Sequence, residues 1–202
     1  MVDAFSHPFA YWVGMDTDPR TTPEALAEFN RFYSTTHVHE VIAAHPGFVG
    51  VSRYELLDPD PRGGQHRGPR WLAVYELADE AAAQQYVKDS TDRPWLHRRH
   101  YSPWPPARRR AKIVWRLLWQ RIAADGTADQ PAADAVFLVG LNEPEALAQT
   151  DGVARRFELY RAFAHPDPGC PRFCAIAAAD QPASAAADAV WRLGYRRIPP
   201  PD

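Results

Sequence analysis

Apolar and polar residues follow two different periods along the first 124 residues, and these periods predict the elements of structure. Between Thr22 and residue 44, large apolar side chains recur every three or four positions, as in an amphipathic helix. Thr22 is a good N-cap, Pro23 suits the first helical position, and Pro46-Gly47 ends the helix. Shorter runs rich in aromatic and β-branched residues predict strands at 9–15, 47–57, 71–77 and 111–122, and an alanine-rich stretch predicts a second helix at 78–90.

This order, β-α-β-β-α-β, predicts an α+β fold built from a ferredoxin-like antiparallel sheet with its helices on one face. A polar linker at 125–134 is followed by a similar pattern, with strands predicted at 136–141, 173–178 and 189–198 and a helix at 151–164. Segments of the two halves match in the same order: 13–16 with 139–142, Phe32 with Phe157, 46–48 with 171–173, and 71–75 with 191–195. We therefore predict two tandem repeats, the first over 1–124 and a truncated, degenerate second over 135–202 that lacks its last helix and strand.

A single ferredoxin-like unit leaves one face of its sheet uncovered, and that face must be buried against a partner. A fused second copy can supply the partner within one chain, so we expect an intramolecular pseudo-dimeric α/β barrel with a pseudo-two-fold axis. A monomeric pseudo-dimer and a homodimer formed through another surface both remain open.

The long helix carries the candidate chemistry. Tyr33, His37 and Glu40 are spaced i, i+4 and i+7, which places a phenol, an imidazole and a carboxylate on one side. Their counterparts in the second half are Glu158, Ala162 and His165, so the trio is not duplicated and any site is expected in the first repeat. His39 lies about 200° around a regular helix from His37. The candidate substrate-binding residues are Trp12, Phe29, His39, Trp71 and Trp115.

The stretch from residue 28 to residue 56 resembles the dimeric α/β-barrel superfamily, in particular its EthD-like and stress-responsive barrel groups. The residues that carry the resemblance are Asn30, Phe32, Tyr33, His37, Glu40, Pro46, Gly47, Phe48, Arg53 and Tyr54. His39 stands where these groups usually have proline. The resemblance implies the barrel fold, and it leaves the chemistry open because one scaffold hosts many activities.

The leading hypothesis is a cofactor-independent small-molecule enzyme of the cyclase, dehydratase, isomerase or cofactorless monooxygenase type, acting on an aromatic or polyketide-like substrate. His37 would remove a proton beside a carbonyl, Tyr33 would stabilise the enolate, and Glu40 would orient the imidazole. One alternative is a non-catalytic binding protein for an aromatic metabolite. Another is a haem-binding barrel oxidoreductase, since some members of the superfamily bind haem through histidine. Each of these side chains also has an ordinary structural interpretation, in the core or in contact with a loop.

Composition and motifs bear on binding to nucleic acid, membranes, metals and cofactors. The net charge is −2 and the sequence pI about 6.4, which gives no general attraction to nucleic acid. No apolar segment approaches the length of a membrane span, and no secretory signal is recognised, so a cytoplasmic location is expected. Cys170 and Cys174 lack the Cys or His partners of a zinc site, and the H-x-H-E sequence at 37–40 lacks further ligands, so neither metal nor another cofactor is expected.

A segment at 92–110 combines prolines, tryptophans and arginines. It is interpreted as a structural arm over a barrel mouth or an interface, with binding of a carboxylate or phosphorylated ligand, or contact with nucleic acid, as alternatives. His45, His97 and His100 are expected in loops and at the surface.

Overall fold

Eight strands in the described part of the chain close into one antiparallel barrel. The computed structural model describes residues 5–58, 68–92, 101–124, 134–143, 145–146, 155–159, 170–178 and 189–199. The strands are β1 (Phe9–Thr17), β2 (Phe48–Asp58), β3 (Trp71–Leu77), β4 (Ala111–Ala124), β5 (Ala135–Leu141), β6 (Arg155–Leu159), β7 (Phe173–Ala178) and β8 (Trp191–Ile198). The helices are α1 (Pro23–Phe32), α2 (Val38–Ala44) and α3 (Glu80–Asp92), with a π-helix at Tyr33–His37 between α1 and α2 and a 3₁₀ helix at Pro106–Arg110.

The strand order around the barrel is β1-β3-β2-β8-β5-β7-β6-β4. The first four strands form the arrangement β4-β1-β3-β2, and the last four repeat it as β8-β5-β7-β6. The two sheets join through the antiparallel pairs β2–β8 and β4–β6. The predicted fold is therefore confirmed, because two ferredoxin-like sheets of one chain close a barrel without a second subunit.

The prediction of a helix at 151–164 is wrong for residues 155–159. These residues form strand β6, which pairs with β4 and β7. Residues 156–159 read R-F-E-L and repeat the R-Y-E-L of 53–56 in β2, so β6 is the counterpart of β2. Consequently β7 corresponds to β3 and β8 to β4. The matches found in the sequence had instead paired β7 with β2 and β8 with β3. The second half keeps its last strand, contrary to the expected truncation. The rest of 151–164 and the linker at 125–133 lie outside the described residues.

The two halves share a close approach between a glycine and a proline. A Cβ atom added to Gly14 would lie 2.5 Å from Cγ of Pro69, and one added to Gly140 would lie 2.5 Å from Cγ of Pro171. Both positions therefore require glycine if the strand is to approach the proline. This agreement supports the match between segments 13–16 and 139–142.

The barrel interior is filled by aromatic side chains from both halves. Trp115 and Trp191 stack there with ring centroids 4.3 Å apart and an interplanar angle of 16°, and Trp12 lies 5.2 Å from Trp119. Trp115 and Trp119, four residues apart on β4, do face the same side, as the alternation of a strand requires. The interior is a packed hydrophobic core in this structure.

The outer face of the first sheet carries the helical layer. Its core includes Phe29, Tyr33, Val38 and Val41 from the helices, packed against Tyr75 and other residues of the strands. Helix α2 ends at Ala44, just before the predicted Pro46-Gly47 break, and the φ of +87° at Gly47 is a left-handed conformation suited to glycine. No helix among the described residues is long and apolar enough to cross a membrane.

Candidate functional site

A π-helical turn places the two principal residues of the site. Helix α1 is capped by Thr22, whose hydroxyl accepts a hydrogen bond from the Ala25 amide, and the helix continues into the π-helix at Tyr33–His37. The rings of Tyr33 and His37, at the two ends of this turn, lie 5.0 Å apart. A π-helical turn is less stable than a regular α-helical one and is frequent at functional sites. The expected single helix is therefore interrupted at the position of the candidate chemistry.

A cavity of about 180 Å³ lies between the helical layer and the outer face of the first sheet. Its wall contains five tyrosines, at positions 11, 33, 75, 86 and 101, together with His37 and His45. Arg108 and Arg116 also line it, and Val13, Met15, Val41 and Ile113 supply apolar surface. A concave, largely aromatic site with a few polar groups is the usual form of a small-molecule site.

Two tyrosines form a buried hydroxyl pair in this cavity. The Tyr33 and Tyr75 oxygens are 3.4 Å apart, and both side chains are almost fully buried. Burial raises the pKa of both phenols above the ordinary value, so both stay protonated at neutral pH. In such a pair one hydroxyl donates to the other, which leaves one O–H for a ligand.

A buried cation lies behind the phenol pair. The guanidinium carbon of Arg53 is 4.4 Å from the centroid of the Tyr33 ring, and the residue is 5% exposed. Its nitrogens donate hydrogen bonds to the Asn30 carbonyl, the Asn30 side-chain oxygen and the Ser34 hydroxyl. These acceptors are neutral, so the positive charge remains available to stabilise negative charge that develops beside Tyr33.

His37 is held as a neutral imidazole. Burial lowers its pKa from 6.5 to about 4, and the positive charges of Arg108 and Arg53 act in the same direction, against the attraction of Glu40. The ring lies 4.2 Å from the Trp104 ring and 5.1 Å from the Tyr101 ring, measured between centroids. Its side chain is 11% exposed. Neutral imidazole is the form that accepts a proton.

Glu40 lies behind the imidazole and outside the cavity wall. Its Oε2 is 3.8 Å from His37 Nδ1, too long for a hydrogen bond but within the range of an ion pair. Its Oε1 accepts a hydrogen bond from the Ser102 amide at 2.8 Å. Nδ1 and Oε2 are both buried without a hydrogen-bond partner. A proton on Nδ1 would face this carboxylate and leave the lone pair on Nε2, so the geometry is that of a positioning residue.

The structure therefore brings Tyr33, His37 and Glu40 together, and their catalytic roles remain predictions. Phe29 contacts Tyr33 from the helical core, with ring centroids 5.9 Å apart, and does not line the cavity. His39 is exposed.

The three predicted tryptophans lie away from the cavity. Trp12 and Trp115 occupy the barrel interior, on the opposite side of the sheet, because the side chains of a strand alternate between its faces. Trp71 is buried on the helical side of the sheet, with Arg70 over its ring at 5.0 Å, but it does not line the cavity. None of the three is therefore placed to contact a ligand in this cavity.

His45 was expected at the surface, and this expectation is wrong. The residue is 6% exposed, and its ring lies 5.0 Å from Phe48 and 5.2 Å from Tyr86. His45 is the C-cap of α2, where the backbone becomes extended before β2, and its side chain lines the cavity. His97 and His100 lie outside the described residues.

Strand residues and the arm contribute to the cavity wall beyond the residues that were predicted. Tyr11, Val13 and Met15 alternate along β1 toward the cavity, and Tyr75 and Arg116 reach it from β3 and β4. Alternation within each strand was the available signal, but it does not say which face meets the helices. The described part of the arm, 101–110, covers His37 with Trp104 and Tyr101, and residues 93–100 lie outside the described residues.

The residues of the site fit a resident group poorly. Among the described residues, no cluster of three His, Cys, Asp or Glu side chains could hold a metal ion. Drug-sized ligands occupy cavities of roughly 300–1,000 Å³, and a porphyrin is larger than these ligands. A cavity of about 180 Å³ does not accommodate haem in this conformation.

Comparisons with known proteins bear on the fold. No protein-family model matches the sequence, and no curated protein matches it either. The chain is similar to the crystal structure of a candidate chlorite dismutase, with 12% identity, a TM-score of 0.51, and coverage of 95% of this chain and 94% of that chain. This likeness shows the fold alone. Membership of the narrower EthD-like group stays a prediction.

Two variants of the chlorite dismutase of Candidatus Nitrospira defluvii were also found. One is 11% identical with a TM-score of 0.39, covering 83% of this chain and 74% of that chain. The other is 10% identical with a TM-score of 0.43, covering 95% and 91%. Scores at this level support no conclusion.

Proposed function

We propose that the first half of the chain binds a small molecule with one aromatic ring and moves a proton on the carbon next to its carbonyl group. The observation that carries the proposal is the pairing of acid–base groups in one buried cavity. Neutral His37 lies 5.0 Å, ring to ring, from Tyr33, whose hydroxyl is 3.4 Å from that of Tyr75. A base and a hydrogen-bond donor for an oxyanion are the two groups that enolisation requires.

In the proposed step, Nε2 of His37 takes the proton from the carbon, and the electron pair of the C–H bond moves toward the carbonyl oxygen. The phenol pair donates a hydrogen bond to the resulting enolate, and Arg53 behind Tyr33 stabilises its charge. An enolate forming beside the imidazolium would raise the pKa of His37, which offsets the effect of burial. Return of the proton to another carbon gives isomerisation, loss of a β-hydroxyl gives dehydration, and attack on a second carbonyl gives cyclisation.

The test uses phenylacetone, a neutral ketone with one ring, dissolved in D₂O. The wild-type protein is expected to accelerate exchange of the benzylic protons for deuterium, measured by proton NMR. His37→Gln should reduce this rate by about 100-fold or more, the usual contribution of a general base. His39→Gln is the matched control, since it removes an exposed imidazole from the same helix.

Folded His37→Gln protein that exchanges phenylacetone as fast as wild type would refute the proposed role. Tight binding of phenylacetone without exchange, in every variant, would favour a non-catalytic binding protein. The finer assignments, to lyase, isomerase or cofactorless monooxygenase chemistry, belong to this proposal, as does the division into repeats at 1–124 and 135–202.

A haem-binding barrel oxidoreductase is the second candidate. The fold likeness to a candidate chlorite dismutase supports it better than it supports cofactor-free chemistry, and the small cavity weighs against it. Titration with haemin decides between them. Saturation at one haem per chain, with a Soret band that is lost in His37→Gln but kept in His39→Gln, would favour the second candidate and count against the first.

A further inference from the structure

The cavity wall has an unequal distribution of charge. Arg108 and Arg116 line it, and none of its lining residues is an aspartate or a glutamate. Burial and the neighbouring guanidinium groups keep His37 neutral, so the positive charge of the wall comes from the two arginines. A partly enclosed site with two cations and no anion attracts a negatively charged ligand.

Arg116 is an exposed arginine of β4 whose side chain lines the cavity, whereas some arginines elsewhere on the barrel are paired with carboxylates. On the barrel surface, Arg172 lies 3.0 Å from Glu158, and Arg70 lies 3.7 Å from Glu55. Arg116, on β4 opposite Val13 of β1, makes no hydrogen bond or ion pair with any described residue. Its charge nevertheless acts on the cavity, since it lowers the pKa of Tyr11, against the larger effect of burial. No described residue engages this guanidinium, so it is available to a ligand at the cavity wall.

Size and surface limit the rest of the ligand. The cavity holds about 180 Å³, and an apolar cavity of about 150 Å³ is known to bind benzene. Tyr11, Tyr75 and Trp104 offer flat faces, and Met15 and Ile113 complete an apolar wall. One aromatic ring fits this space, and a fused polycyclic ring system exceeds it.

We infer that the ligand of this cavity is a one-ring aromatic carboxylate whose carboxylate group binds Arg116, with the ring between the tyrosines and Trp104. This inference rests on the proposed function for the identity of the site, and it adds the substrate class. The planar guanidinium suits a carboxylate because two N–H groups can donate to its two oxygens.

Equilibrium binding of benzoate and benzamide tests the inference by isothermal titration calorimetry at pH 7. The two probes have the same ring and nearly the same shape, and they differ in charge. Benzoate is expected to bind at least 10-fold more tightly than benzamide. Arg116→Gln should weaken benzoate binding by about 10-fold and leave benzamide binding unchanged.

Lys112→Gln is the matched control, because it removes one positive charge from an exposed position on the same strand outside the cavity wall. Arg116 is exposed as well, but only Arg116 lines the cavity, so Lys112→Gln should change benzoate binding less than 2-fold because it removes no direct contact with the carboxylate. Circular dichroism establishes that each variant is folded.

Equal affinity for the two probes, or unchanged benzoate binding in folded Arg116→Gln, would overturn the inference. An equal loss of benzoate binding in Lys112→Gln would also overturn it, since the effect would then come from net charge. The two proposals fail separately. Charge-selective binding with undiminished phenylacetone exchange in His37→Gln refutes only the proposed function, whereas His37-dependent exchange without charge selectivity refutes only the carboxylate assignment.

Discussion

Acidification should destabilise the folded protein through His37, and the size of the effect follows from its burial. The folded-state pKa of this imidazole is about 4, against 6.5 when it is exposed to water. Between these values the unfolded chain binds a proton that the folded chain does not. Stability is therefore highest above pH 6.5 and falls as the pH drops toward 4. At 1.36 kcal/mol for each pKa unit, the loss reaches about 3 kcal/mol as an order of magnitude.

Urea unfolding between pH 4 and 8, followed by tryptophan fluorescence, measures this dependence. Other groups titrate in the same range, so the informative quantity is the difference between wild type and His37→Gln, which lacks the imidazole. The free energy of unfolding of wild type, relative to that of His37→Gln, should fall by about 3 kcal/mol as the pH falls from 6.5 to 4. His39→Gln should follow wild type, because this residue is exposed in the folded state. Parallel curves for wild type and His37→Gln would show that His37 titrates normally, and the buried-base geometry would then be wrong.

Two further substitutions test the site and the fold. Tyr33→Phe removes one hydroxyl of the buried pair and should slow phenylacetone exchange by about 10- to 100-fold, while a folded variant with the wild-type rate would exclude the phenol from the chemistry. Gly47→Ala should lower the free energy of unfolding by about 1–3 kcal/mol, because φ is +87° and the added Cβ would lie 2.3 Å from Ala82 Cβ. Gly194→Ala is its control, since the nearest heavy atom there is 3.9 Å from the new Cβ, and equal effects on thermal unfolding of the two variants would contradict the conformational argument.

Most of the strands follow from short apolar runs in the sequence. The predicted strand at 71–77 agrees with β3 and that at 173–178 with β7, because each is a compact apolar run. β6 was missed because it has only five residues and its sequence, R-R-F-E-L, contains a single large buried aromatic. The R-F-E-L of β6 resembles the R-Y-E-L of β2. The two halves were aligned with a nearly constant difference in residue number, however, and that alignment does not pair these two segments. The connections β5–β6 and β7–β8 are shorter than their counterparts β1–β2 and β3–β4, so the offset between equivalent strands changes along the chain.

Only the site residues that lie on the long helical segment could be predicted from the sequence. Helical spacing placed Tyr33, His37 and Glu40 together, and a carboxylate beside the imidazole is what the structure shows. The π-helix could not be foreseen, because no residue pattern in 33–37 distinguishes it from regular helix. The strand tyrosines and Arg116 were missed because both faces of the first sheet are aromatic, one toward the barrel and one toward the helices.

A crystal structure with phenylpyruvate tests the central claim most directly, because this probe carries one ring, one ketone and one carboxylate. We expect it in the cavity of the first half, with its carboxylate on Arg116 and its ketone oxygen within hydrogen-bond distance of the Tyr33 or Tyr75 hydroxyl. Phenylpyruvate bound in the barrel interior, or on the outer surface with that cavity empty, would contradict the account.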